Sequence, residues 1–285
     1  MVTLKQDIED RECISGVVWD AGMLLADYIV WEAAEEAKQQ EQNEQNERSQ
    51  TLPSHFAAEP NERETEPRYI LDLGCGTGIV GVVASVTYQG AKVSFSDLPS
   101  VRRILEANLT AASAAVKADN AAPALLVYVP YDWCSPEPPP AELLSPMPVE
   151  ADGSGDKGTG TCTGTSTAEV EPEQHPEQHP EQPQWHTVFC SDVLYDEQTH
   201  APLMKLLRQL RFRRCIFGFK RRHPQAELAF FQQLRVWCDV RVLHLEEGSL
   251  VNCTAAMTKA GGGLFAVLVT RRADQVKNLG VATAA

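Results

Sequence analysis

Short apolar runs alternate with stretches of helical periodicity along most of the chain. The helical stretches cover about 79–88, 100–112, 197–210 and 225–237, and an amphipathic segment, MLLADYIV, precedes the first apolar run. Apolar runs of this length, separated by helices, predict a parallel sheet covered by helices on both faces. We therefore predict a doubly wound, mostly parallel α/β sheet of seven strands. The expected strands are 68–73, 92–96, 124–129, 185–191, 215–219, 240–245 and 264–270.

Two polar segments interrupt this alternation. Residues 32–66 contain QQEQNEQNE, and residues 135–184 contain a Gly/Thr-rich stretch followed by a repeated EQHP unit. Segments of this composition bury too little apolar surface to offset the entropy of ordering, so both are predicted to be disordered inserts. Loop closure costs only about 0.6 kcal/mol per doubling of length, so a single domain can tolerate them. We expect one domain over 1–285.

The charge of the chain is concentrated in the two inserts. The whole chain of 285 residues has a net charge of −14, and without 32–66 and 135–184 the remainder is close to neutral. A strongly acidic chain repels phosphates, which argues against tight nucleic-acid binding. The most apolar stretch, at 17–31, contains Asp20 and Asp27 and is too short to span a bilayer.

Cysteine spacing and the N-terminal residues indicate the cellular compartment. The eight cysteines include no C-x-x-C pair, so a zinc site has little support, and the two His-Pro steps make at best a weak metal site. No metal is expected. The N-terminus has no apolar secretory segment. We expect free thiols in a reducing cytoplasm, with a nuclear address left open, and a monomer by default.

The first predicted strand leads into a glycine-rich loop, Asp72-Leu-Gly74-Cys75-Gly76-Thr77-Gly78. The loop fits two templates: a dinucleotide-binding fingerprint continuing to Gly81, and the loop that binds S-adenosylmethionine (SAM). Asp72 favours SAM, because a carboxylate there repels a pyrophosphate but suits the ammonium and sulfonium charges of SAM.

Asp97 follows the second predicted strand, where a carboxylate can accept hydrogen bonds from both ribose hydroxyls of a nucleoside. NAD enzymes use the same arrangement, so Asp97 indicates an adenosine cofactor without choosing one. A helix-capping role before Pro99 is the alternative.

Three further motifs accompany this loop: VVWDAG at 17–22, YDW at 131–133, and the D-x-x-Y motif SDVLY at 191–195. This set, in this order, resembles the seven-β-strand SAM-dependent protein methyltransferases of methyltransferase family 16, most of whose characterised members methylate lysines. The resemblance covers nearly the whole chain outside the inserts. It implies a Rossmann-like methyltransferase sheet, SAM as cofactor and a lysine-containing protein as substrate.

The resemblance also implies roles for individual residues. Trp19 would lie beside the methionine end of SAM, the loop residues would form its cradle, and Asp97 would hold the ribose. Trp133 would lie near the adenine and Ser191 would line the pocket floor, while Asp192 and Tyr195 would face the incoming amine. The expected cofactor-binding residues are Trp19, Asp72, Gly74, Cys75, Gly76, Gly78, Asp97, Trp133 and Ser191.

Plainer interpretations of several residues stay open. Trp19 and Trp133 could be half-buried aromatics, and Asp192 could cap the helix that starts near residue 197. A basic cluster brackets the fifth predicted strand and is interpreted as a solvated rim: Arg211, Arg213, Arg214, Lys220, Arg221 and Arg222. The expected function is a SAM-dependent protein-lysine methyltransferase. Methylation of another nucleophile (histidine, an N-terminus, RNA or a small molecule) and a non-enzymatic binding module remain alternatives.

Overall fold

The computed structural model describes residues 4–6, 16–50, 68–118, 124–146, 183–243 and 263–272. Within these residues the chain forms seven strands and six α-helices. The strands are β1 (Tyr69–Leu73), β2 (Lys92–Ser96), β3 (Leu125–Tyr128), β4 (Trp185–Ser191), β5 (Phe212–Lys220), β6 (Cys238–Leu243) and β7 (Leu264–Arg271). The helices are α1 (Asp20–Gln50), α2 (Ile79–Thr87), α3 (Arg102–Ala118), α4 (Ala141–Leu144), α5 (His200–Gln209) and α6 (Pro224–Leu234).

The strands form one sheet in the order β3-β2-β1-β4-β5-β7-β6. Strands β1 to β5 run parallel, and β7 lies antiparallel between β5 and β6. This arrangement confirms the predicted doubly wound, mostly parallel sheet of seven strands. The order reverses direction at β1, so that β1 and β4 are neighbours at the switch point where ligands bind in such sheets.

Helices cover both faces of the sheet. One core cluster joins α1, α2 and α3 to the sheet through residues such as Leu25, Val80 and Leu105. A second cluster packs α4, α5 and α6 against the opposite face, with Leu203 and Phe230 among its members. The central strands are buried on both faces, which explains why they are almost continuously apolar in sequence.

Helix α1 differs from the predicted disordered insert at 32–66. The helix continues to Gln50, so residues 32–50 are helical, and 51–66 lie outside the described residues. The Glu/Gln/Ala/Lys-rich sequence supports a helix that has already been nucleated by its apolar start. Glu32 also binds Arg214 of β5, and Glu36 binds Arg68, so the first turns of this segment are anchored to the domain.

The second predicted insert, 135–184, also begins too early. Residues 135–146 are described and include α4, whose Leu143 is fully buried. The indole nitrogen of Trp185 donates to the Leu143 carbonyl at 2.9 Å, and the Arg211 amide donates to the Leu144 carbonyl at 2.9 Å. The short apolar AELL sequence is masked by the Pro- and Glu-rich composition around it. Residues 147–182, with the repeated EQHP units, lie outside the described residues.

Candidate active site

A cavity of about 330 Å³ opens at the carboxyl ends of β1, β2, β4 and β5. It lies at the sheet's switch point, and the loop after β3 and the segment before α1 complete its wall. Nine of the eleven residues selected from the sequence line it: Trp19, Gly74, Cys75, Gly76, Asp97, Trp133, Ser191, Asp192 and Tyr195. The other two, Asp72 and Gly78, are not among its lining residues.

Three glycines of the loop after β1 have a left-handed backbone, Gly74, Gly76 and Gly78, and at two of them a side chain would also clash. Gly74 has φ +71°, and a Cβ added there would lie 2.6 Å from Cγ1 of Val193. Gly78 has φ +81°, and a Cβ there would lie 2.6 Å from Cδ1 of Leu105. Gly74 therefore lets the backbone form the cavity wall, whereas Gly78 allows α2 to start against α3 without touching the cavity.

Asp97 holds the loop from the neighbouring strand. The Gly76 amide donates to Asp97 Oδ2 at 2.7 Å, and the Leu98 amide donates to Oδ1 at 2.7 Å. Burial raises the pKa of Asp97, and these two hydrogen bonds oppose that effect. Each carboxylate oxygen keeps a further acceptor site, so Asp97 can bind a pair of hydroxyls while it continues to shape the loop.

Asp72 lies behind the loop. Its side chain is completely buried, and Oδ2 accepts a hydrogen bond of 2.9 Å from the Gly81 amide in the first turn of α2. Among the described residues, Oδ1 has no hydrogen-bond partner. Burial raises the pKa of Asp72 to about 7. Asp72 therefore anchors the start of α2. Because its side chain does not line the cavity, Asp72 cannot contact a ligand there and can act on one only through long-range electrostatics.

Two tryptophans line the cavity from loops. Trp133 packs partly against the core, and its ring atom Cη2 would lie 3.1 Å from a Cβ at Gly74. Trp19 is 43% exposed, and its ring centroid lies 5.9 Å from the guanidinium carbon of Arg222. Both therefore have aromatic surface available at the cavity, which an ordinary core position would not provide.

The end of β4 supplies the D-x-x-Y residues. Asp192 is 7% exposed and adopts φ +55°, a left-handed conformation that is uncommon for a residue other than glycine. Its amide donates to the Gly218 carbonyl of β5 at 2.7 Å. Tyr195 is 40% exposed at the cavity, and burial together with nearby carboxylates raises its pKa, so the hydroxyl stays protonated at neutral pH. Asp196, rather than Asp192, caps the following helical turn by accepting from the Gln198 amide.

Arg222 is a site residue that the sequence interpretation missed. Its Nη1 lies 2.6 Å from Asp192 Oδ1 and its Nη2 lies 2.8 Å from Oδ2, which makes a bidentate ion pair at the cavity. The solvated-rim interpretation is therefore wrong for Arg222. It is also wrong for Arg214, whose guanidinium binds Glu32. The position of Arg222 just after β5 was a usable signal, because the carboxyl ends of parallel strands lie at one edge of the sheet, where ligands bind.

The residues present fit SAM. The cavity volume is in the range of about 300–1,000 Å³ typical of small-molecule sites. Gly74 presents bare backbone at the cavity, because Val193 and Trp133 leave no room for a Cβ there, and the buried carboxylate of Asp97 gives the loop a negative potential suited to a cationic ligand. Among the described residues no group of three or more His, Cys, Asp or Glu side chains could hold a metal ion. In the same part of the chain, no helix is long and apolar enough to cross a membrane.

The strand order and the glycine loop are those of the Rossmann-like methyltransferase fold. Residues 1–128 match the family model described as "Lysine methyltransferase", that of methyltransferase family 16. The match confirms the resemblance over these residues, and it indicates SAM as the cofactor. It ends with β3, so Asp192, Tyr195 and Arg222 lie beyond it. No curated protein matches the chain.

Solved structures similar to the chain include an rRNA methylase from Escherichia coli, with 15% identity and a TM-score of 0.37 over 72% of this chain and 58% of that one. Magnesium protoporphyrin IX methyltransferase from Synechocystis with bound SAM has 13% identity and a TM-score of 0.38, over 72% and 71%. The METTL16 methyltransferase domain has 9% identity and a TM-score of 0.41, over 74% and 62%. The chain spans less than two thirds of the first and the last of these.

Proposed function

We propose that the protein is a SAM-dependent protein methyltransferase that transfers a methyl group to a lysine ε-amine. The observation that carries the proposal is that the glycine loop with Asp97 and the D-x-x-Y residues Asp192 and Tyr195 line one cavity. A cofactor held at the loop and an amine held at Asp192 would therefore share one enclosed space.

The cofactor half of the cavity would work by positioning. The backbone of Gly74 and Gly76 approaches the ligand closely, and Asp97 accepts hydrogen bonds from the ribose hydroxyls. Trp133 offers an aromatic face for the adenine, and Trp19 covers the methionine end. When bound, SAM supplies a methyl group on a positively charged sulfur, which passes to the acceptor nitrogen as the carbon–sulfur bond breaks. Alignment of this kind can supply much of a rate enhancement.

The acceptor half would bind and orient the amine. A lysine must be neutral to attack, although its unperturbed pKa is about 10.4. Desolvation in the cavity favours loss of the proton, which goes to solvent. Asp192 can accept a hydrogen bond from the nitrogen, and Tyr195 presents a ring face or its hydroxyl. We assign no general base among these residues.

We propose a monomer that acts on a protein of the cytoplasm or nucleus. The free thiols of Cys75, Cys190 and Cys215 suit a reducing compartment. Histidine, N-terminal, RNA and small-molecule acceptors are alternatives, as is binding without catalysis.

The test is transfer of radiolabelled methyl from SAM to a hypomethylated lysate, fractionated into protein, RNA and small molecules. Wild type is compared with Asp192→Ala and with Asp239→Ala, a control on β6 whose exposed carboxylate pairs with Arg272. We expect a discrete protein band that is lost only with Asp192→Ala, with label on lysine by mass spectrometry. Label in RNA, in small molecules or on another residue would reject the lysine proposal. No label in any fraction would reject it too.

A further inference from the structure

Asp192 faces the cavity with its charge already paired. Both of its oxygens accept hydrogen bonds from the guanidinium of Arg222, at 2.6 and 2.8 Å, and the Lys220 amide is 3.4 Å from Oδ1. The side chain of Arg222 is 29% exposed and that of Asp192 is 7% exposed, so solvent screens this pair only in part. A substrate amine that approaches Asp192 therefore meets a carboxylate whose negative charge is largely cancelled by Arg222.

The surrounding residues fix this geometry from both sides. The buried carboxylate of Glu227 accepts from the Arg222 amide at 2.7 Å and from the His223 amide at 2.8 Å, which holds the turn between β5 and α6. On the other side, the Asp192 amide is bound to the Gly218 carbonyl. The ion pair is thus held by the main chain at both ends rather than formed by two mobile side chains.

We propose that Arg222 is a positioning residue that orients the Asp192 carboxylate and cancels its charge, so that the acceptor lysine binds as the neutral amine. This inference rests on the proposed function. A lone carboxylate would stabilise the ammonium form and raise the pKa of the bound lysine. A carboxylate paired with Arg222 still has acceptor sites for one amine hydrogen, because an ionised carboxylate has about four. Asp192 then orients the nitrogen without holding the proton that must leave before methyl transfer.

The inference predicts a specific change in pH dependence. Without Arg222, the uncompensated charge of Asp192 favours the ammonium form, and the pH at which kcat reaches its plateau rises. An unpaired carboxylate within about 4–6 Å of an amine favours the charged form by about one to three pH units, and the plateau should move upward by the same amount. At neutral pH the rate falls about tenfold for each pH unit by which the plateau moves. The KM for the protein substrate does not rise, because the ammonium form is attracted more strongly.

The experiment uses the full chain and the protein that it labels in the transfer assay. The pH profile of kcat is measured for wild type, Arg222→Met, Arg222→Lys and Arg272→Met. Arg272 is the matched control, because its guanidinium also pairs with an aspartate, the exposed Asp239 at 3.1 Å, and Arg272 does not line the cavity. SAM affinity by calorimetry and the melting temperature are measured for each variant, so that loss of the fold or of cofactor binding is separated from loss of transfer.

We expect Arg222→Met to bind SAM within about threefold of wild type and to recover transfer at high pH. Arg222→Lys keeps a positive charge and should return the profile toward wild type, while Arg272→Met should leave it unchanged. A uniform loss at every pH, or loss of SAM binding, would reject the inference while wild-type methylation of lysine still supports the proposed function. If wild type methylates no lysine, both fail together.

Discussion

Gly74 and Trp133 meet at the wall of the cavity: a Cβ on Gly74 would lie 3.1 Å from Cη2 of the Trp133 ring. The glycine belongs to the loop after β1, and the tryptophan to the loop after β3. The two loops meet over the end of β2, which lies between β1 and β3: the Gly74 amide donates to the Ser96 carbonyl at 2.8 Å, and the Tyr131 amide donates to the Asp97 carbonyl at 2.9 Å. The absence of a side chain at residue 74 therefore sets the position of the aromatic face proposed for the adenine.

Replacing Gly74 with alanine should weaken SAM binding. The new Cβ would clash with Val193 and push on Trp133, and φ +71° is itself unfavourable for alanine. Gly90→Ala is a matched control, because Gly90 has φ +70° but nothing lies within 4 Å of its added Cβ. Both variants should lose about 1–2 kcal/mol of stability from backbone strain.

The measurement is SAM affinity by calorimetry together with denaturant unfolding. Only Gly74→Ala should lose affinity, by more than about tenfold. Equal affinities in the two variants would show that the Gly74 contact does not shape the cofactor site.

Much of the fold is predictable from sequence because its signals are local. The apolar runs correctly locate the seven strands, and the Gly/Asp pattern after β1 correctly locates the bend into α2. The fifth strand begins at Phe212, three residues before its predicted start. The prediction started too late because the charged residues Arg213 and Arg214 look like the end of a loop in sequence. An arginine near the start of a buried strand can form an ion pair with a residue far away in sequence, and Arg214 does so with Glu32.

Alanine substitutions of Asp97 and Asp192 should affect different properties, SAM binding in the first case and methyl transfer in the second. Asp97→Ala removes the acceptor of the Gly76 and Leu98 amides, so the loop loses both its shape and the proposed ribose contact. SAM affinity should fall about tenfold or more, since hydrogen bonds to a charged group contribute about 1.5–3 kcal/mol. Asp192→Ala should bind SAM normally and transfer no methyl group.

Calorimetry and the methyl-transfer assay measure the two properties, with Asp239→Ala as a control that should keep both. An equal loss of SAM affinity in the Asp97 and Asp192 variants would contradict this division of roles.

The sequence does not predict which residues of the site form ion pairs and hydrogen bonds with one another. Asp192 and Arg222 are each recognisable as polar residues after a strand, but their ion pair depends on the neighbouring positions of β4 and β5 and on the left-handed backbone of Asp192. The position of Asp72 at the start of the glycine-rich loop predicts a role in cofactor binding. Its burial and its bond to Gly81 depend instead on how closely α2 packs, which the motif does not encode.

Asp72→Asn should change how stability depends on pH. Burial raises the pKa of Asp72 from its usual 3.8 to about 7, so in wild type the contribution of this group is greatest at low pH and is lost as pH rises toward 7. Asparagine can still accept from the Gly81 amide but carries no charge. Relative to wild type, the variant should therefore gain about 2–3 kcal/mol between pH 5 and pH 7 and level off above that.

Urea unfolding of both proteins without cofactor, at pH 5 to 8, measures this difference. A constant difference across the range would mean that Asp72 ionises in the folded protein much as it does in the unfolded chain.

Glu32→Gln should destabilise the fold by detaching α1 from β5. Glu32 accepts from both Nη atoms of Arg214 at 2.6 Å, and the hydroxyls of Tyr28 and Tyr88 donate to it at 2.6 and 2.8 Å. The side chains of the ion pair are 12% and 28% exposed, so we expect a loss of about 2 kcal/mol, below the value of a fully buried pair. Glu35→Gln is the control, because Glu35 forms an exposed pair with Lys38, and it should lose less than about 0.5 kcal/mol.

The Glu32 pair should also respond to acid. Burial alone would raise the pKa of Glu32, but the hydrogen bonds and charge of Arg214 outweigh it and hold the pKa below its usual value. The stability from this pair is therefore present above the usual glutamate pKa and is lost as pH falls through the lowered one. In urea unfolding, the difference between wild type and Glu32→Gln should be constant near neutral pH and shrink only in acid. A difference that disappears already at neutral pH in high salt would instead mean that the pair is screened like a surface contact, and that α1 is held to the sheet by its apolar face alone.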